Sequence, residues 1–452
     1  MTVHPSRVPD PRVRRLAATL YGYAFLGEFV LLYPLYALLF SDTGLSVWQI
    51  SSLFVIWSAA SILLEVPSGA FADAVSRRLL LCLAPLVTAA GFALWVLLPS
   101  YPAFAVGFVL WGAGGALASG ALEALLFTEL DRLDAAGRYA RVIGRAKTAE
   151  TLGVLASILL AGPVFALGGY PAVGAASVLA CLLAAAVATR LPEHRHPAPA
   201  TAAPAEAASA TAAPAEPATA VPGGVLVDGG SGRGGLAVGP DHDEEPGWWA
   251  SLRSGLAEAH ADRSVRAAVL LVAVVAAVWG ALDEYTPLLA RDTGVDEATV
   301  PLLLLLTWLG VGAGGLLAPA GERLTSRGYA GLLAASAVAL AVGALLARPA
   351  GFVLVAAAFC GFQLATVLAD ARLQARITGG SRATVTSLAG MATDATIIAV
   401  YGGYGLLATG AGNGMAFAVA AVPYLIVALL LATRAGRPAR RRPRRATAGP
   451  AG

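Results

Sequence analysis

Twelve apolar blocks, separated by short polar segments, make up most of this 452-residue chain. Each block has about 20 residues, the helix length that crosses a hydrocarbon core near 30 Å at 1.5 Å per residue. The apolar–polar alternation of membrane strands is absent, so helices are the predicted spanning form. The blocks lie approximately at 16–40, 50–72, 79–98, 104–127, 142–167, 170–189, 267–290, 300–319, 330–346, 352–368, 385–407 and 415–433.

Composition supports a membrane protein. Hydrophobic residues form 57% of the chain and charged residues only 13%, whereas soluble domains carry about 25% charge. The three cysteines lie in different apolar blocks, with neither a disulfide framework nor a zinc spacing. We therefore predict an all-α membrane protein and no metal site.

The basic residues indicate the orientation of the chain. If the N-terminus is cytoplasmic, 29 of the 31 Lys and Arg residues fall in cytoplasmic loops or tails, and only Arg291 and Arg348 fall outside. This predicts an even number of spans and two cytoplasmic termini. The net charge of +3 then reflects topology and contact with lipids, and no nucleic-acid partner is expected. The preference for Arg, Ala and Gly over Lys suggests a bacterial plasma-membrane protein.

A change in composition divides the chain into parts. Residues 192–263 are mostly rich in Ala, Pro, Thr, Glu and Gly, which predicts a cytoplasmic disordered linker. Trp248, Trp249, Leu252 and Leu256 near its end fit either a short interfacial helix or an ordinary lead-in to the next span. The predicted domains are a six-helix bundle at 1–191, a second at 264–434, and a basic disordered tail at 435–452.

The two bundles echo one another. "GEFVLLYPL" at 27–35 corresponds to "GALDEYTPL" at 280–288, and "DTG" occurs at 42–44 and again at 292–294. Such matches, in the same order and at similar spacing, predict a duplicated six-helix unit and two pseudo-symmetric bundles.

The segment "GAFADAVSRR" at 69–78, after the second block, resembles the loop motif of the major facilitator superfamily, G-x-L-A-D-R-x-G-R-K. Gly69, Asp73, Arg77 and Arg78 are among the matching positions. The resemblance implies the twelve-helix fold of that superfamily and a motif that helps hold the cytoplasmic side shut in the outward-open state. Arg77 and Arg78 could instead serve only to fix topology.

Acidic residues inside apolar blocks are candidate functional residues, because a charge at the bilayer centre costs roughly 2.5–3.5 kcal/mol. Glu28, Glu123, Asp283 and Glu284 are the predicted proton or substrate pathway, with pairing to Arg or capping of a broken helix as the structural alternative. Asp283 and Glu284 are neighbours about 100° apart on a helix, so we expect them to point in different directions. We also expect Lys147, the only lysine, to form an ion pair with Glu150.

Gly162 and Pro163 begin "GPVFALGG", which is similar in part to the Gly-Pro motif of antiporters. This resemblance implies proton-coupled efflux of a small hydrophobic or amphipathic solute by alternating access, with uptake by symport or uniport as the alternative. No cofactor beyond a proton gradient is expected, and the protein is expected to act as a monomer. Tryptophans such as Trp57 and Trp111 could stack on a solute or anchor the chain at the membrane interface. A membrane sensor or enzyme remains a remote alternative, because no catalytic cluster is apparent.

Overall fold

The computed structural model describes residues 11–194, 263–377 and 382–435, and this part of the chain is helical without strands. The predicted linker and basic tail, apart from a few residues at their edges, lie outside the described residues, as does the candidate interfacial helix. In the first half the helices are α1 (Pro11–Glu28), α2 (Tyr36–Asp42), α3 (Val47–Ala74), α4 (Arg77–Leu97), α5 (Tyr101–Ala118), α6 (Ala121–Arg132) and α7 (Tyr139–Ala188).

The second half has the same plan. Its helices are α8 (Arg263–Asp283), α9 (Thr286–Asp292), α10 (Val300–Leu316), α11 (Ala318–Gly321), α12 (Ser326–Leu345), α13 (Gly351–Gln374), α14 (Arg382–Ala420) and α15 (Val422–Ala435).

These helices provide the twelve predicted spans. Spans one, four, seven and eight each consist of two helices separated by a break. Helix α7 contains spans five and six, which are separated by non-helical backbone at Gly168 and Gly169. In α14, non-helical backbone at Gly412 separates span eleven from span twelve. Within residues 11–194, 263–377 and 382–435, eight helical segments are long and apolar enough to cross a membrane by length and composition alone. Two of these segments each contain a pair of spans. Spans one and eight do not meet the length criterion, because span one is interrupted between α1 and α2 and α10 has only 17 residues.

The two "DTG" sequences form the same turn in each half. Gly44 has φ of +90° and Gly294 has φ of +82°, a left-handed backbone that glycine adopts without a steric penalty. Each turn follows the outer helix of a broken span, α2 or α9. The repeat predicted from sequence therefore corresponds to equivalent structure in the two halves.

The halves meet at one face of the bundle. We call the face with these two turns the far face, and the opposite face, where the described chain begins at Pro11 and ends at Ala435, the terminal face. One hydrophobic core contains residues of both halves from the far face to the middle of the bundle. Nearer the terminal face, the buried residues separate into one cluster for each half. The structure is therefore closed at the far face.

The motif at 69–78 differs from the expected loop. Residues 69–74 belong to the last turns of α3, and only Val75 and Ser76 separate α3 from α4. The backbone of Gly69 and Asp73 is thus helical, while the Asp73 side chain lies outside the described part of the structure. The segment is a tight helix–helix junction. Ser76 caps the N-terminus of α4 by accepting a hydrogen bond from the Leu79 N–H at 3.1 Å, so α4 begins directly after it.

Candidate functional site

Spans one and seven break near the middle of the bundle, and hydroxyl groups satisfy part of the freed backbone. In span one, the Leu32 N–H donates a 3.0 Å hydrogen bond to the buried Ser177 hydroxyl of span six. In span seven, Pro287 cannot donate to the Asp283 carbonyl, and the Thr286 hydroxyl donates to it instead at 2.6 Å. In both breaks a hydroxyl group of the same half therefore satisfies a freed backbone group.

A central cavity of about 380 Å³ lies between the halves beside these two breaks. Its acidic lining residues are Glu28 from span one and both Asp283 and Glu284 from span seven. The lining includes no Lys, Arg or His among the described residues. Three of the four acids predicted as pathway residues therefore face one cavity of a single charge sign.

The expectation that Asp283 and Glu284 point in different directions is wrong. The 100° offset applies to a continuous helix, but α8 ends at Asp283 and α9 begins at Thr286, so the helical geometry is interrupted there. Both side chains line the central cavity. Neither carboxylate has an ion pair or a side-chain hydrogen bond among the described residues.

A second cavity, also of about 380 Å³, lies within the first half, and we call it the first-half cavity. Glu28 lines both cavities, and Glu123 lines the first-half cavity. The predicted pair of Lys147 with Glu150 is confirmed, with a distance of 3.0 Å between Nζ and Oε2, and it lies on the same wall. Because the Lys147 side chain is 66% exposed, this cavity reaches the surface near the terminal face. Glu28 thus stands between the exposed pair and the central cavity.

Aromatic rings form another wall of the central cavity. Trp57 and Trp111 stack with ring centroids 4.9 Å apart, and Tyr33 stacks on Trp111 at 5.3 Å. All three line the cavity, together with Trp308 from the second half. By contrast, Trp95 is fully buried and donates to the Phe104 carbonyl, so it is a packing residue. The rings available to a solute therefore include the predicted Trp57 and Trp111, together with Tyr33 and Trp308.

The far face is held shut by polar contacts between the halves. Arg291 of the second half donates to Asp42 of the first half at 2.6 Å and also to Ser41. Deeper in the interface, the Ser51 hydroxyl and the Tyr285 hydroxyl are 2.7 Å apart in a buried hydrogen bond. These contacts belong to the closed far face and must break if it opens.

Acidic groups surround this gate. Burial and the nearby Asp42 carboxylate raise the pKa of Glu297, although Arg291 opposes the shift. The Tyr170 hydroxyl donates a hydrogen bond to the Asp42 carboxylate. Asp42 thus accepts hydrogen bonds from Arg291 and Tyr170, and the Glu297 carboxyl group lies close to it.

Close packing at Gly162 also joins the halves. A Cβ built on Gly162 would lie 2.2 Å from the carbonyl oxygen of Ala298 in the second half. Only glycine allows this approach between span five and the segment before span eight. Pro163 follows within α7. The helix-five motif therefore lies at the interface between halves.

At the terminal face, the two arginines of the 69–78 motif differ. The Arg77 guanidinium donates to Thr128 at 2.9 Å and to the Ala124 carbonyl at 3.1 Å, both in span four. Its backbone N–H donates to Glu193 at 2.8 Å. Arg78 is exposed. Arg77 therefore joins spans three and four of the first half in this structure.

Sequence reasoning assigned residues 193 and 194 to the linker, but both are anchored to the first half. Glu193 also accepts a hydrogen bond from Ser76. The His194 backbone N–H donates at 2.7 Å to Glu129, which is almost completely buried. The acidic residue directly after Pro192 was the available sequence signal, since carboxylates stabilise helix N-termini such as that of α4.

Two similar six-helix halves around a central cavity, closed on one face, define a multi-pass membrane transporter. The sequence model of the Major Facilitator Superfamily matches residues 17–400, and the chain belongs to this family. Its members are transporters and not enzymes. No curated protein matches the sequence.

Solved transporter structures are similar over nearly the whole chain. The nucleoside transporter NupG has 10% identity and a TM-score of 0.66, covering 95% of this chain and 100% of its own. A bacterial homologue of the human lysosomal transporter Spinster, inward-facing and occupied, has 15% identity and a TM-score of 0.66, covering 95% and 98%. A D-xylose–proton symporter has 15% identity and a TM-score of 0.60, covering 93% and 97%. At these identities the likeness establishes the fold alone.

Proposed function

We propose that this chain is a bacterial plasma-membrane transporter that exports a small hydrophobic or amphipathic solute in exchange for protons, by alternating access. The observation that carries the proposal is the pair Asp283 and Glu284. Both line the central cavity, and neither has a counter-ion among the described residues.

The reason for proton coupling is the cost of an uncompensated charge. A carboxylate near the bilayer centre costs roughly 2.5–3.5 kcal/mol, which a bound proton or a positive solute removes. Each acid therefore exchanges a proton for a positively charged solute, or the reverse, as access alternates. Glu28 extends this function to the first-half cavity, where Glu123 and the Lys147–Glu150 pair lead towards the terminal face.

The orientation follows from the basic residues. Most of the Lys and Arg residues lie at the terminal face or in the linker and tail, so we assign the terminal face and both termini to the cytoplasm. The closed far face is then external and the structure is inward-facing, as is the similar Spinster homologue. A cavity accessible from the cytoplasm is the loading state of an exporter.

The proton gradient supplies enough energy for this exchange. One proton crossing about 100 mV contributes roughly 2.3 kcal/mol, which supports a gradient near fifty-fold for a neutral solute. For a monovalent cation exchanged one for one, no net charge crosses the membrane and the pH gradient alone drives export. The Gly162–Pro163 resemblance favours exchange over symport. Uptake by proton symport is the second candidate, favoured by the structural likeness to a D-xylose–proton symporter.

The test is proton movement in proteoliposomes that contain a pH-sensitive dye. The protein is reconstituted, a pH gradient is imposed, and a panel of solutes is added. Exchange predicts that solute and proton move in opposite directions, and that Asp283→Asn and Glu284→Gln reduce the signal. Glu322→Gln, an exposed acid outside both cavities, is the matched control and should leave it unchanged.

Each other outcome contradicts a defined part of the proposal. Proton movement in the same direction as the solute would establish symport and overturn export by exchange. Solute movement without proton movement would establish uniport and overturn the role of the acids. If the Glu322→Gln control lost the signal equally, the loss in Asp283→Asn and Glu284→Gln would reflect general instability, which would contradict a specific role for these two acids.

A further inference from the structure

The lining of the central cavity indicates the charge and shape of the transported solute. This inference rests on the proposed function, which specifies only a small hydrophobic or amphipathic solute. We propose that the cavity binds a monovalent organic cation that carries a flat aromatic group. Three observations support this: the unpartnered acids, the charge sign of the whole lining, and the arrangement of the rings.

Asp283 and Glu284 are half-buried near the middle of the bundle, and neither carboxylate has an ion pair or side-chain hydrogen bond among the described residues. A buried polar group without a partner is costly, and buried charges in proteins are normally paired. Their accessible surface faces the cavity, since both are among its lining residues. Each carboxylate therefore takes its partner from the cavity, which is water in the empty site and a proton or a cation when its charge is compensated.

The lining also excludes an anionic solute. Glu28, Asp283 and Glu284 are its charged residues, and no Lys, Arg or His of the described chain joins them. An anion would enter a low-dielectric space containing only like charge, which is strongly unfavourable. A neutral solute would leave the acids without a partner unless they kept their protons.

The cation is organic rather than a metal ion. No group of three or more His, Cys, Asp or Glu residues in the described ranges is arranged to hold a metal ion. The acids instead share the cavity with Tyr33, Trp57, Trp111 and Trp308. A divalent metal ion needs several converging oxygen or nitrogen ligands, and the described residues of this lining are not arranged in that way.

The rings favour an aromatic cation. Tyr33, Trp111 and Trp57 form a continuous stack, with interplanar angles of 13° and 24° between successive rings. A flat group of the solute can extend this stack, and the negative ring faces attract its positive charge. Trp308 supplies a ring from the other half, so the solute would contact both halves of the transporter.

The test compares three naphthalene compounds that share one ring system. They are the cation trimethyl(1-naphthylmethyl)ammonium, the neutral 1-naphthalenemethanol and the anion 1-naphthoate. Binding to the purified full-length protein in detergent is measured by equilibrium dialysis, with naphthyl fluorescence as the readout. The expected result is saturable binding of the cation, at least about tenfold tighter than either of the other compounds.

Variants locate the site. Asp283→Asn and Glu284→Gln should each weaken binding of the cation about 30-fold or more, the usual effect of truncating one buried charged partner. Trp111→Leu should weaken it about fivefold to thirtyfold. Glu322→Gln is the control, and circular dichroism and gel filtration of every variant exclude misfolding.

Two results overturn the inference. One is equal or tighter binding of the neutral compound or the anion. The other is cation binding that survives Asp283→Asn and Glu284→Gln in folded protein. If cation binding fails while another solute still exchanges for protons in proteoliposomes, the solute class is wrong and the proposed function stands. If proton exchange also fails for every solute, the proposed function falls with it.

Discussion

Replacing Gly162 by alanine should shift the transporter away from the state described here. The added Cβ would lie 2.2 Å from the Ala298 carbonyl oxygen, well inside van der Waals contact with a backbone atom. This clash exists only while the halves are closed at the far face. The variant therefore penalises the closed far face and leaves the open one unaffected.

The expected shift follows from the cost of overpacking. An extra methyl group in a well-packed interface typically costs about 1–3 kcal/mol. A cost of that size on one state alone changes a two-state equilibrium roughly 5- to 150-fold. Gly162→Ala should therefore convert a mainly closed population into one with a large open fraction.

Pulsed electron paramagnetic resonance can measure the two populations. Spin labels are placed through Thr43→Cys and Thr293→Cys, in the equivalent turns of the two halves at the far face. Cys82, Cys181 and Cys360 are first replaced by serine. The expected result is growth of a long-distance population in the Gly162→Ala protein.

Two other glycines of α7 serve as matched controls. A Cβ on Gly144 would meet nothing within 4 Å, so Gly144→Ala should leave the distances unchanged. A Cβ on Gly153 would lie 2.4 Å from the Phe25 carbonyl in the same half. Gly153→Ala should lower thermal stability without opening the far face. A distance distribution for Gly162→Ala that matches the Gly144→Ala control would refute the reasoning.

Three further predictions concern polar groups. Arg291→Gln removes a half-exposed ion pair with Asp42, worth about 0.2–1 kcal/mol, and should raise the open fraction by no more than about fivefold in the same distance measurement. At the closed gate the pKa of Glu297 is raised above the usual glutamate value of 4.5, so protonation of Glu297 favours closure. Closure should therefore weaken as pH rises above 4.5. Glu297→Gln should flatten this dependence, and an unchanged pH profile would contradict it. Ser177→Ala leaves the buried Leu32 N–H without its partner and should cost about 1–3 kcal/mol, seen as a lower unfolding midpoint.

The spans and the repeat were predictable because they depend on local sequence. An apolar block of sufficient length must be a helix in lipid, whatever its neighbours are. The "DTG" repeat specifies a turn through one glycine, and Gly44 and Gly294 both adopt the left-handed backbone that such a turn requires. The break in span seven is also encoded locally, since Pro287 removes a hydrogen bond at a fixed position.

The composition of the site was predictable only in part. That Asp283 and Glu284 share one cavity depends on how far the helix departs from regular geometry, which hydropathy does not encode. The contact of Arg291 with Asp42 joins residues 249 positions apart and exists in one conformation of the transporter. Gly162 was singled out by a motif, but its packing against Ala298 required the arrangement of the two halves.

Each broken helix is supported from within its own half, and this determines what alternating access changes. Ser177 and Leu32 both belong to the first half, and Thr286 satisfies the Asp283 carbonyl in the second. A rocking motion would therefore carry each break as one body with the hydroxyl group that supports its backbone, while the Tyr285 contact with Ser51 of the other half would change. What changes is the side from which a proton or solute reaches them. The cost of switching then lies in the contacts between the halves, among them Arg291 with Asp42 and Tyr285 with Ser51.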